Sequence, residues 1–257
     1  MSDIDDSKMP LLDHLIELRT RLLWSFAALA VAFGVSIYFA RPIFGFLVQP
    51  LLASGQTKLI YTAIFEAFFV EIKVAFFAAS FFSFPVFATQ LWRFVAPGLY
   101  SKEKRAFLPF LLATPLLFIL GAAMAYYMVI PVALNYLLGF GGNVGGVEQE
   151  ALPGVDNYLN FVMKFIFGFG ISFLLPVLLM LLERAGIVTL AQLKAARRYA
   201  IVGSFAVAAV LTPPDVVSQL LLAIPLCILY ELALVAIWIT QRRRMKTAPE
   251  TSEAVAE

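Results

Sequence analysis

The chain has 257 residues, of which 61% are hydrophobic and 14% charged, and its mean hydropathy is +0.88. No soluble domain of this length needs so much apolar surface for its core, so the composition predicts a polytopic membrane protein. A net charge of +2 gives no basis for a nucleic-acid partner, and the single cysteine, Cys227, rules out an internal disulfide.

The first six residues, Met1-Ser2-Asp3-Ile4-Asp5-Asp6, are acidic where a cleavable signal or transit peptide would be basic. The first apolar run is therefore read as a permanent helix. Ahead of it, Leu11, Leu15, Leu18 and Leu22 fall on one helical face, which makes residues 1–21 an amphipathic segment leading into a first span from about Leu22 to Phe39. Within that lead-in Glu17 precedes Arg21 by four residues, a pair that stabilises a helix by only about 0.2 to 0.5 kcal/mol.

Arg41-Pro42 is expected to break the helix, and the apolar stretch Ile43 to Val48 predicts interfacial helical pieces before the turn chemistry of Gln49-Pro50 and Ser54-Gly55. The second span covers about Phe68 to Trp92, with Glu71 and Lys73 near its start and Pro85 inside it, where it should bend the helix. Arg93 to Arg105 reads as a short basic connection whose one carboxylate is Glu103. The third span runs from about Phe107 to Ile130 and ends at Pro131; the glycine-rich residues Gly139 to Gly146 follow as loop.

The fourth span covers about Tyr158 to Leu182, with Lys164 near its start and Pro176 in its middle. The last apolar stretch, about Tyr199 to Thr240, is divided by the turn Thr212-Pro213-Pro214-Asp215. That leaves a fifth span of about 14 residues, which reaches only about 21 Å against a hydrocarbon core of about 30 Å.

Basic residues alternate along the connections: Lys8, Arg19 and Arg21; then Arg41 and Lys58; then Arg93, Lys102, Lys104 and Arg105; none between Pro131 and Met163; then Arg184, Lys194, Arg197 and Arg198; none in the last turn; then Arg242, Arg243, Arg244 and Lys246. The expected architecture is all-α, six transmembrane helices with both termini cytoplasmic and a short fifth/sixth hairpin. Residues 22–240 form one membrane domain, and 241–257 a polar, disordered cytoplasmic tail.

An enzyme reading finds few reactive groups. The one histidine, His14, lies at the membrane boundary, where interfacial packing accounts for it, and GxSxG, HExxH and CxxC patterns are absent from the sequence. No catalytic residue, metal site or cofactor is predicted. The carboxylates say more: Glu17 and Glu103 lie among basic residues on the cytoplasmic side, and such groups can clamp guanidinium ions through charge-assisted hydrogen bonds. Glu231, about half-way into the last span, would be paired, protonated or facing a polar cavity. Asp215 is read either as a cap for the following helix or as a polar group of the short hairpin, together with Thr212, Ser218 and Gln219.

Three segments carry a resemblance: His14-Leu-Ile-Glu-Leu-Arg-Thr-Arg21; Phe94-Val-Ala-Pro-Gly-Leu-Tyr100 with Glu103 after it; and Leu211-Thr-Pro-Pro-Asp-Val216. In that order they resemble the TatC family of twin-arginine protein translocases, over essentially the whole chain. The resemblance implies a membrane receptor for the twin-arginine signal peptides of folded cargo. It further implies a multimeric complex with TatA- and TatB-type single-span subunits, driven by the proton-motive force, multi-pass in the cell inner (plasma) membrane.

It assigns signal-peptide recognition to Glu17 and Glu103, with Arg19 and Phe94 at neighbouring motif positions. Pro50 and Pro85 match family prolines, and Asp215 and Glu231 match acidic positions of the last hairpin. One departure is Leu174, which stands where the family commonly places Glu or Gln before Pro176; Glu231, Thr212 and Gln219 are then the candidates for intramembrane polarity. From another class, a solute transporter using Glu231 and Lys164 is disfavoured by the lack of an internal repeat, and an intramembrane hydrolase by the position of His14.

Overall fold

The computed structural model describes residues 3–99, 108–144, 147–149, 152–212 and 215–253, with side chains described over 14–94, 110–141, 152–212 and 215–242. The elements in order are α1 (Asp3–Tyr38), α2 (Ala40–Ala53), α3 (Glu66–Leu99), α4 (Leu108–Met124), a π-helical turn (Ala125–Val129), α5 (Ile130–Leu138), strands β1 (Gly142–Val144) and β2 (Val147–Gln149), α6 (Val155–Ser172), α7 (Leu175–Arg184), α8 (Leu190–Ala195), α9 (Arg197–Leu211) and α10 (Val216–Glu253). Among the described residues, five helical stretches are long and apolar enough to cross a membrane: His14–Tyr38, Glu66–Phe94, Phe110–Leu138, Val155–Arg184 and Val216–Arg242. α9, with 15 residues, is the short member predicted before the double proline and is not among the five.

Several expectations are corrected. The break placed at Arg41-Pro42 falls two residues earlier, at Phe39, because Pro42 is accommodated in the first turn of α2, where a missing N–H costs nothing. Pro50, read as turn chemistry, lies buried inside α2, which ends three residues later at Ala53 and is capped by Ser54, whose N–H and hydroxyl both donate to the Pro50 carbonyl. α3 continues past Trp92 to Leu99, since no helix breaker occurs between Trp92 and Pro97-Gly98, at its very end.

Pro131 does not end the third span either. The π turn just before it already rearranges the carbonyl ladder, so the proline's lost N–H and its ring are absorbed and α5 continues to Leu138. The glycine-rich loop contains a two-stranded antiparallel ribbon in which Val144 pairs with Val147 and Gly142 with Gln149. α10 runs to Glu253, so the tail expected to be disordered from residue 241 is helical that far.

The chain divides into two compact units, residues 1–116 with 138–163 and residues 117–137 with 164–257. In the first, Val70, Val74 and Ala78 form an i, i+4, i+8 stripe of α3 that is buried along with Leu47 and Leu51 of α2 and Val155, Leu159 and Val162 of α6. The large exposed side chains of its helices, such as Trp24, Phe26 and Phe76, are apolar, as a lipid-facing surface requires.

In the second unit, glycines allow close helix packing. A Cβ on Gly170 would lie 2.6 Å from the Phe118 ring, and one on Gly121 would lie 2.6 Å from the Phe169 carbonyl oxygen. A separate core gathers Leu193 of α8 with Tyr230, Leu234 and Ile237 of α10, and the Tyr230 hydroxyl donates to the Leu193 carbonyl at 2.7 Å. α8 itself begins with a reciprocal capping box between Thr189 and Gln192.

Candidate functional site

The candidate site lies in the first unit, where α1 packs along α3. His14, Glu17 and Arg21 are spaced i, i+3 and i+7 on α1 and so share a face; Gln90 and Phe94 are one turn apart on α3. The two sets meet. The His14 ring stacks on Phe94 with centroids 4.3 Å apart and planes 15° from parallel. The Arg21 guanidinium donates from Nε to Glu17 Oε1 at 2.9 Å, donates from Nη2 to the same oxygen, and reaches Gln90 Oε1 from Nη1 at 3.4 Å.

Glu17 is thus ion-paired within its own helix, and its side chain keeps 35% of its surface exposed. Arg19, on another face of α1, is exposed. The site therefore joins two of the sequence candidates, Glu17 and Phe94, and adds two residues: His14, which sequence reading placed in interfacial packing, and Gln90, which no local pattern marked. Glu103 lies outside the described residues.

Residues 13–225 match the sequence family described as Sec-independent protein translocase protein (TatC). The chain belongs to the TatC family. It is 48% identical over 231 residues to the TatC of Magnetococcus marinus, covering 89% of this chain and 84% of that protein, and 43% identical over 229 residues to the TatC of Aquifex aeolicus, covering 88% and 93%. A crystal structure described as the twin-arginine translocase receptor TatC in DDM superposes with a TM-score of 0.79 at 42% identity, covering 87% of this chain and 98% of that one. This TatC family member is accordingly a multi-pass membrane protein of protein translocation, in a transport family that is not enzymatic.

The other sequence candidates fall in two places, both in the second unit. At the α9–α10 turn, Asp215 caps α10 by accepting the Ser218 N–H at 2.7 Å, Thr212 donates to the Ala208 carbonyl at 2.9 Å, and Gln219 donates to the Phe205 carbonyl at 3.3 Å. Glu231 lies 16 residues beyond Asp215 on the same helix, about 24 Å along it, so it does not join them. Its carboxylate instead accepts from Arg197 Nη2 at 2.7 Å, at the start of α9. Leu174 is half-buried in the break between α6 and α7, as the residue that precedes α7.

Pro85 lies inside α3, and the Thr89 hydroxyl donates to its carbonyl at 2.7 Å. Lys73, near the start of the second span, is bound to Asp156 and to Asn160 of α6. Lys164 is exposed on α6.

Proposed function

We propose that this chain is the signal-peptide receptor of a twin-arginine translocase, binding the adjacent arginines of a folded cargo protein's signal through the carboxylates of Glu17 and Glu103. The observation that carries this reading is the Glu17–Arg21 pair: a partly exposed carboxylate at the polar end of α1 already holds a guanidinium, with one oxygen accepting two N–H groups. Arginine suits such a site better than lysine because its planar fork presents several donors at once. The Phe94 ring, stacked on His14 one turn before Glu17 on α1, adds an apolar surface at the same end of the helix pair.

The distribution of basic residues along the connections supports an N-in, C-in arrangement of six spans in the inner membrane, α9 being the short one. That orientation puts Glu17 on the cytoplasmic side, where signals arrive. TatA- and TatB-type single-span subunits complete the complex, and the proton-motive force drives transport without chemistry in this subunit. A solute-transporter reading would need Glu231 as a free intramembrane carboxylate, whereas that group is paired with Arg197.

Site-specific photo-crosslinking from positions 17 and 103, in membranes, tests the reading with a signal peptide bearing Arg-Arg and with its Lys-Lys variant. Selective capture of the Arg-Arg peptide is expected. Capture of neither by an inserted, folded protein would return both carboxylates to ordinary surface ion pairing.

A further inference from the structure

Arg21 occupies the place that a ligand arginine would take on Glu17. Its side chain is 22% exposed, and its three guanidinium nitrogens are all engaged, two on Glu17 Oε1 and one directed at Gln90 Oε1. The order Glu then Arg at i, i+4 is the favourable one on a helix, and Gln90 of α3 steadies the guanidinium from the neighbouring helix. Both bonds to Glu17 converge on one oxygen, and among the described residues no donor reaches Oε2. A bidentate clamp on an incoming arginine uses both oxygens, so it requires Oε1 to be released.

We propose that Arg21 is a resident competitor for Glu17, a built-in mimic of the ligand's arginine that must be displaced before the signal peptide is clamped. This rests on the reading of Glu17 as a signal-binding carboxylate and adds a control to that site. In the free protein Arg21 keeps Glu17 charge-neutralised, so an isolated arginine on any passing chain meets an occupied carboxylate. A ligand with two adjacent arginines and its flanking contacts supplies enough interaction to displace it. Gln90 sets the strength of the competition through its hold on Arg21.

The test is peptide binding to the full-length protein in nanodiscs, read by fluorescence anisotropy with an Arg-Arg signal peptide, for wild type, Arg21→Gln, Gln90→Leu, Glu17→Gln and the double variant Glu17→Gln/Arg21→Gln. Arg21→Gln is expected to tighten binding about two- to fivefold, the range set by a partly exposed ion pair. Gln90→Leu should tighten it by a smaller factor, and it keeps the test alive should Arg21→Gln fail to fold. Glu17→Gln should weaken binding, and Arg21→Gln should have no further effect on that background.

Unchanged or weaker binding by Arg21→Gln and Gln90→Leu, with Glu17→Gln still weakened, overturns the competitor role and leaves the clamp standing. Unchanged binding by Glu17→Gln removes the clamp, and the competitor with it.

Discussion

Glu66 at the start of α3 and Asp156 at the start of α6 are joined side chain to backbone: the Glu66 carboxylate accepts the Asp156 N–H at 2.9 Å. The same carboxylate accepts the Thr62 hydroxyl at 2.9 Å, the Thr62 N–H at 2.5 Å and the Ala63 N–H at 3.1 Å, so one buried group satisfies donors from two segments. Around it Ile60 bridges Gly154 in a short parallel pairing, Lys73 binds Asp156, and the Tyr158 hydroxyl donates to the Leu47 carbonyl at 2.8 Å.

Glu66→Ala should therefore destabilise the first unit by about 2 to 4 kcal/mol, because three backbone N–H groups lose their acceptor at a helix start. Glu66→Gln, which keeps one acceptor oxygen, should cost less. Thermal unfolding in detergent, followed by tryptophan fluorescence, measures both. A Glu66→Ala protein melting with wild type would show that water replaces the carboxylate without cost.

Gly121→Ala is expected to cost about 1 to 3 kcal/mol, the range for overpacking a well-packed core. Its Cβ would lie 2.6 Å from the Phe169 carbonyl oxygen and 2.8 Å from the Phe173 ring, and the first of these is backbone that cannot swing away. Gly34→Ala and Gly203→Ala are the controls, since a Cβ there meets nothing within 4 Å. Both lie within helices and should be stabilised by about 0.5 to 1 kcal/mol through reduced chain entropy. Equal melting shifts for Gly121→Ala and the controls would contradict the close α4–α6 packing.

What the sequence made legible was local. Apolar runs, the double proline before Asp215 and the Glu17–Arg21 spacing each declare themselves within a few residues, and each has its counterpart in a helix, a cap or an i, i+4 pair. The Glu66–Asp156 link does not, because 90 residues separate its partners and neither carries a local signature. Gln90 escaped notice for the same reason: it matters only once α3 lies against α1. Pro131 misled because a proline reads as a stop unless the π turn ahead of it is known. Glu231 was legible as an anomaly but not as half of a pair with Arg197, 34 residues away.

Discrimination at Glu17 should follow geometry, not charge alone. Replacing both signal arginines by lysine keeps the charge and removes the planar fork, so affinity should fall by at least about tenfold, the equivalent of one lost charge-assisted hydrogen bond. Added salt should weaken the Lys-Lys peptide proportionally more, because a point charge is screened while directed hydrogen bonds persist. Equal affinities at physiological ionic strength would mean that the site reads charge only, and Glu17 could not then be a bidentate clamp.

Arg197 and Glu231 should behave as one unit. Their side chains are 49% and 51% exposed, so the pair is worth only about 0.2 to 1 kcal/mol where water reaches it. Arg197→Ala would leave the carboxylate of α10 alone beside the buried Tyr230–Leu193 contact, and Glu231→Gln would leave a cation with an amide partner. Each single change should lower the melting temperature slightly, and the double change should lower it by less than the sum, which a double-mutant cycle resolves. Strict additivity would separate the two residues. A loss of translocation by Glu231→Gln with no change in melting would instead restore the intramembrane functional role first read from its position in the last span.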